Sequence, residues 1–126
     1  MYFCKYEKDT IFHYLWQCKI VQIFWGDFVS LMKEKCENCE RLSLNAILIL
    51  FGTDNKTKTD EGFSHILLTA KYYIYKCRIN KITLSIRSFV KELQYIYRID
   101  NHVSRITMKN HQFVNKWAPY TNMLEL

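Results

Sequence analysis

Apolar residues along this chain recur mostly at spacings of three and four, the period of an α-helix, and seldom alternate singly as on a half-buried strand. Ile20, Val21, Phe24, Phe28, Leu31 and Met32 predict an amphipathic helix that ends in the polar stretch around Glu34 and Asn38. Phe63, Ile66, Leu67, Ala70, Ile74 and Cys77 predict another over 63–79. Residues 80–85 read as a connection, with Ser85 as N-cap for the next helix. Ile86, Phe89, Val90, Leu93, Ile96 and Tyr97 give that helix its apolar face. It either continues or breaks near Asp100-Asn101 and resumes through Val103, Ile106 and Phe113. Pro119 forbids helix beyond about Trp117. Upstream, Asp9 or Thr10 can cap a short helix through Ile11 and Trp16. Ser43 can cap another from Leu44 to Phe51, stopped by Gly52; a buried strand is the alternative for this Ile- and Leu-rich segment.

The pattern lapses between Gly52 and Gly62, which enclose only polar residues, so 53–62 reads as a loop. It separates residues 1–52 from 63–126 within what is read as one domain. Composition supports the helical reading. Three Gly and one Pro are too few for the frequent turns of a sandwich or barrel. An apolar fraction of 49% with 24% charged residues excludes a disordered chain. A length of 126 residues excludes a multi-domain enzyme such as a whole polymerase. The expected fold is all-α: a small helical domain of four to six helices.

Charge divides the chain at the loop. Residues 1–61 hold eight basic and nine acidic residues; residues 62–126 hold ten basic and three acidic. The basic half points to a polyanion, nucleic acid first, against the plainer reading of a solvated basic face. The longest strictly apolar run, Ala46 to Phe51, is far too short to span a bilayer, and no membrane association is expected. Five Cys, an odd count, and an N-terminus without an apolar signal core suggest a reducing intracellular compartment, nucleus or cytoplasm.

Cys4, His13 and Cys18 supply two thiolates and one imidazole within fifteen residues, ligand types suited to zinc. On spacing alone, two buried thiols and an ordinary His explain them as well. A second pair, Cys36 and Cys39, has the C-x2-C spacing without a matching half, and reads as thiols in a polar turn. In the back half, Arg87, Lys91, Arg98, His102, Arg105 and Lys109 fall on one stripe if the helix is continuous. Lys71 and Arg78 lie seven apart on the preceding helix, with Tyr75 between them. Basic side chains neutralise phosphates and Tyr offers a face to unpaired bases.

The stretch from Phe3 to Trp25 resembles the zinc-finger segment in the C-terminal region of non-LTR (LINE-type) retrotransposon reverse transcriptases. The matching positions are Cys4, the Glu7/Asp9/Thr10 group, His13, Leu15-Trp16, Cys18 and Phe24-Trp25. Looser similarity extends through residues 49–52, 71–76 and 89–93 to Lys116-Trp117. The resemblance implies a region that helps hold template RNA or target DNA, with zinc as cofactor. Its first ligand position falls three residues before Cys4, at Met1, and a thioether is a poor zinc ligand. Water, the N-terminal amine or a Cys of the second pair would have to complete the set. The simplest explanation is a reading frame that begins inside a former, longer polyprotein, and the expectation is a weakened or absent structural zinc site.

No Ser-His-Asp arrangement, Gly-rich phosphate loop or Asp-Asp pair occurs. The chain is therefore expected to be a non-enzymatic nucleic-acid-binding fragment. Cys4, His13 and Cys18 would be its residual metal ligands, and Lys71, Arg78, Arg87, Lys91, Arg98, Arg105 and Lys109 its phosphate contacts. The competing class is a decayed element serving as a structural or interaction module. A small hydrolase survives only if a pocket gathers His65 or His111 with an acid and a nucleophile.

Overall fold

The computed structural model describes residues 15–16, 18–36, 44–51 and 61–124. Among them every regular element is helical: α1 (Lys19–Lys35), α2 (Ala46–Phe51), α3 (Glu61–Asn80), α4 (Ile86–Ile106), α5 (Asn110–Trp117) and α6 (Thr121–Leu124). Most of the expected helix through Ile11 and Trp16, the cap at Ser43 and most of the loop at 53–62 lie outside the described residues.

The apolar periods mark the buried faces. Val21, Phe24, Trp25, Phe28 and Met32 are the buried residues of α1. Nine residues of α3 are buried, among them Ile66, Ala70, Ile74 and Cys77. Helix α4 contacts α1, α3, α5 and α6 and so occupies the centre. Phe89 is its anchor there, with ring centroids 5.6 Å from Phe24, 5.8 Å from Phe28 and 5.9 Å from Tyr73. Such tilted and edge-on pairs suit the aromatic quadrupole. A second aromatic group, Tyr97, Phe113 and Trp117, seals α4 against α5, with Tyr97 5.1 Å from Phe113 and 5.6 Å from Trp117.

The α3–α4 connection is pinned from within. Tyr73 donates its hydroxyl to the Ser85 carbonyl at 3.1 Å and accepts from the Ser85 amide at 3.0 Å. Burial pushes the phenol up to about 12, so it stays protonated. Ser85 caps α4 as expected, its side chain accepting from the Ser88 amide.

Three boundaries differ from the sequence reading, and two alternatives it left open are decided. The helical reading of the Ile- and Leu-rich segment holds, but α2 begins at Ala46 rather than Leu44, and Asn45 Oδ1 accepts from the Leu48 amide at 2.8 Å. Helix α3 begins at Glu61, inside the expected loop. Helix α4 runs unbroken through Asp100-Asn101 and stops at Ile106. Beyond Trp117 the chain does coil again, through a 3-10 turn (Ala118–Tyr120) into α6, with Pro119 at the turn's start, where no N–H is needed.

Gly62 explains the early start of α3. A Cβ there would lie 2.3 Å from the Lys116 carbonyl and 2.7 Å from the Tyr120 ring. Gly62 is thus a packing glycine that lets α3 meet the end of α5. In an open helix, Gly→Ala stabilises by about 0.5–1 kcal/mol. Here Gly62→Ala is expected to destabilise instead, by about 1–3 kcal/mol, because the clash is with backbone. A lowered urea midpoint checks the sign.

Candidate nucleic-acid interface

Arg87, Lys91, Arg98, His102 and Arg105 are all exposed on α4. At 3.6 residues per turn their side chains fall within about 60° of one another, opposite the buried Phe89 and Leu93. Tyr95, 62% exposed, lies between Lys91 and Arg98 at four and three residues.

The acids of α4 are disposed differently. The helix carries two, and both turn inwards. Glu92 pairs with Lys76 of α3. Asp100 Oδ2 accepts from Trp117 Nε1 at 2.7 Å and from Lys116 Nζ at 3.2 Å. The outer line of α4 is left purely cationic, although the helix as a whole is not.

The remaining predicted contacts are not joined to this line. Lys109 falls beyond the end of α4. Met108 before it is left-handed (φ 60°), the Lys109 amide returns to the Ser104 carbonyl at 2.8 Å, and Lys109 caps α5. Lys71 and Arg78 are half-buried on α3. Lys76 marks the side of α3 that faces α4, and both lie about 140–160° round the helix from it. They form a separate cationic flank. Burial holds the Lys71 amine below its ordinary range.

Of the expected metal ligands, Cys4 and His13 lie outside the described residues. Cys18 is fully buried at the N-cap of α1. Two thiolates and an imidazole suit zinc chemically. Among the described residues no group of three or more His, Cys, Asp or Glu is placed to hold a metal. Cys36 departs from the expected polar turn. It is buried at the C-cap of α1, its thiol 3.9 Å from the Met32 sulfur, while Cys39 lies outside the described residues. Cys77 is buried too, and burial pushes its thiol up, away from the thiolate. Among the described residues no helix is long and apolar enough to cross a membrane.

One polar cluster was not foreseen. Lys116 Nζ donates to His65 Nδ1 at 2.8 Å, next to its bond with Asp100, and Glu61 lies 4.0 Å away. An ammonium only donates, so His65 is neutral with its proton on Nε2. The cluster edges a cleft of about 210 Å³ lined also by Ser104, Thr107 and Gln112. Ser104 Oγ donates to the Asn101 carbonyl at 2.7 Å. His111 is exposed and hydrogen-bonded to Asn115. The inward phase of Asp100, four residues after Ile96 and seven after Leu93, was the available signal: a carboxylate on an apolar face needs a cation.

Acid should loosen this cluster in two stages. Burial, then the charge of Lys116, hold His65 below its ordinary value near 6.5. The unfolded chain therefore binds this proton first. The stability tied to neutral His65 is complete above about pH 6.5 and is lost as pH falls through the lowered folded value. For Asp100, burial pushes up, but hydrogen bonds from Trp117 and Lys116 and the Lys116 charge outweigh it and leave the carboxyl low. Its contribution is lost in turn below the ordinary carboxylate range. A melting-temperature profile is expected to fall in both windows, and His65→Gln to remove the first alone.

Comparison with protein-family models, curated proteins and solved structures returned no match. Fold and site together define an all-helical protein whose central helix is cationic along its outer face.

Proposed function

We propose that the chain is a non-catalytic nucleic-acid-binding protein and that the outer face of α4 lies against the phosphate backbone of RNA or DNA. The observation that carries this is the segregation of charge on α4: both acids are paired inwards, and Arg87, Lys91, Arg98, His102 and Arg105 remain outside. A merely solvated face mixes signs to limit self-repulsion. A polyanion-binding face gains from excluding acids. Tyr95, within the line, gives an unpaired base a ring to stack on. The similarity of residues 3–25 to the LINE-type segment supports the same partner. Zinc on Cys4, His13 and Cys18 belongs to this reading as a degenerate structural site.

The test is affinity for a labelled RNA strand as salt is raised. Four phosphates neutralised by Arg87, Lys91, Arg98 and Arg105 give a slope of log K against log salt of about −3 for a single strand. A slope near zero, or no binding at low salt, would overturn the reading. A second reading, an interaction module, is favoured by one specific observation: the apolar outer face of α3.

A further inference from the structure

Helix α3 is apolar on both sides. Opposite its buried face, Leu68, Tyr72, Tyr75 and Ile79 stand 61%, 57%, 47% and 58% exposed. Their spacings of four, three and four are those of alternating d and a positions in a heptad. The line runs about 16 Å along the helix, three turns. Single exposed apolar residues are ordinary on a protein surface, whereas an unbroken seam marks an interface. Part of it is already ordered. The Tyr72 and Tyr75 rings lie 6.5 Å apart and the Lys76 amine sits 5.6 Å over Tyr72.

We propose that this seam docks an amphipathic helix of a partner protein whose own flanking positions are acidic. The seam's spacing selects a helix, since a and d knobs need a facing row of holes. The flanking charges select its sign. With Tyr72 at a, the g positions are Lys71 and Arg78, which set the sign; at the e positions Thr69 is buried and Lys76 is paired with Glu92. Beyond Glu61, at its first residue, α3 carries no acid. Charges at e and g decide which helices pair. A second copy of this chain would set the same cations against each other, so the occupant is a different, acidic helix. This surface is distinct from the cationic line of α4 and does not depend on it.

The probe is a synthetic helix of about three heptads with Leu at a and d and Glu at e and g. Its control carries Lys at e and g. Calorimetric titration of the full chain should show the acidic helix binding about tenfold or more tighter than the control. Leu68→Ser with Ile79→Ser should weaken it by about tenfold, with unchanged circular dichroism because both sites are exposed. Lys71→Glu with Arg78→Glu should reverse the preference towards the Lys helix. Absence of binding would overturn the proposal. So would full retention in the Leu68/Ile79 variant, which would assign capture to the cations of α4. Self-association abolished by that variant would also overturn it, in favour of a second copy.

Discussion

Reversing three charges on α4 together, Arg87→Glu, Lys91→Glu and Arg98→Glu, is expected to weaken RNA binding on the order of 100-fold at low salt. Each phosphate contact releases condensed counterions, so the loss is steepest where salt is scarce. The same variant should flatten the salt slope from about −3 to about −1, since Arg105 alone would remain of the four counted. The fold should survive, because all three side chains are exposed and surface changes stay within about 0.5 kcal/mol. Fluorescence anisotropy beside a thermal melt reads both quantities. Unchanged affinity in a folded variant would remove α4 from the account.

The second large effect concerns the core. Phe89→Ala is expected to destabilise by about 3–5 kcal/mol. Phe89 is fully buried, and its ring lies within 6 Å, centroid to centroid, of those of Phe24, Phe28 and Tyr73. Rings from α1 and α3 would line the cavity, and the three helices that meet there cannot collapse into it without losing their other contacts. Set against a typical total of about 5–15 kcal/mol, that is enough to unfold much of the population on mild heating. The urea midpoint measures it. Tyr95→Ala, an equally aromatic truncation on the outer face of α4, should move the midpoint little.

Helix type and buried faces were legible in the chain because they follow from one-dimensional spacing. Phe24, Phe28, Ile66, Ala70, Phe89 and Leu93 stand inward as their periods require. Helix ends were not legible where glycine is the usual sign. Helices α3 and α4 both stop at left-handed residues that are not glycine, Lys81 (φ 55°) and Met108 (φ 60°). The hydrogen bonds Ile82 N to Cys77 O and Lys109 N to Ser104 O, each 2.8 Å, close the two ends. That hidden stop removed Lys109 from the basic stripe. Conversely Gly62, which looked like a loop boundary, is a helical residue required by the Lys116 backbone, 54 residues away in sequence. No local signal carries such a contact. The purity of the cationic face was half legible. The spacing of the cations was in the sequence, but the inward pairing of Glu92 with Lys76 and of Asp100 with Lys116 and Trp117 depends on how α3 and α5 pack on α4.

The central claim, that the outer face of α4 receives a polyanion, is tested most directly by mapping backbone amide shifts of the labelled chain as RNA is added. The account predicts that the largest shifts gather along Arg87, Lys91, Tyr95, Arg98, His102 and Arg105, and that they fade as salt is raised. Shifts confined to the Lys71 and Arg78 flank or to the seam on α3, with α4 silent, would contradict it.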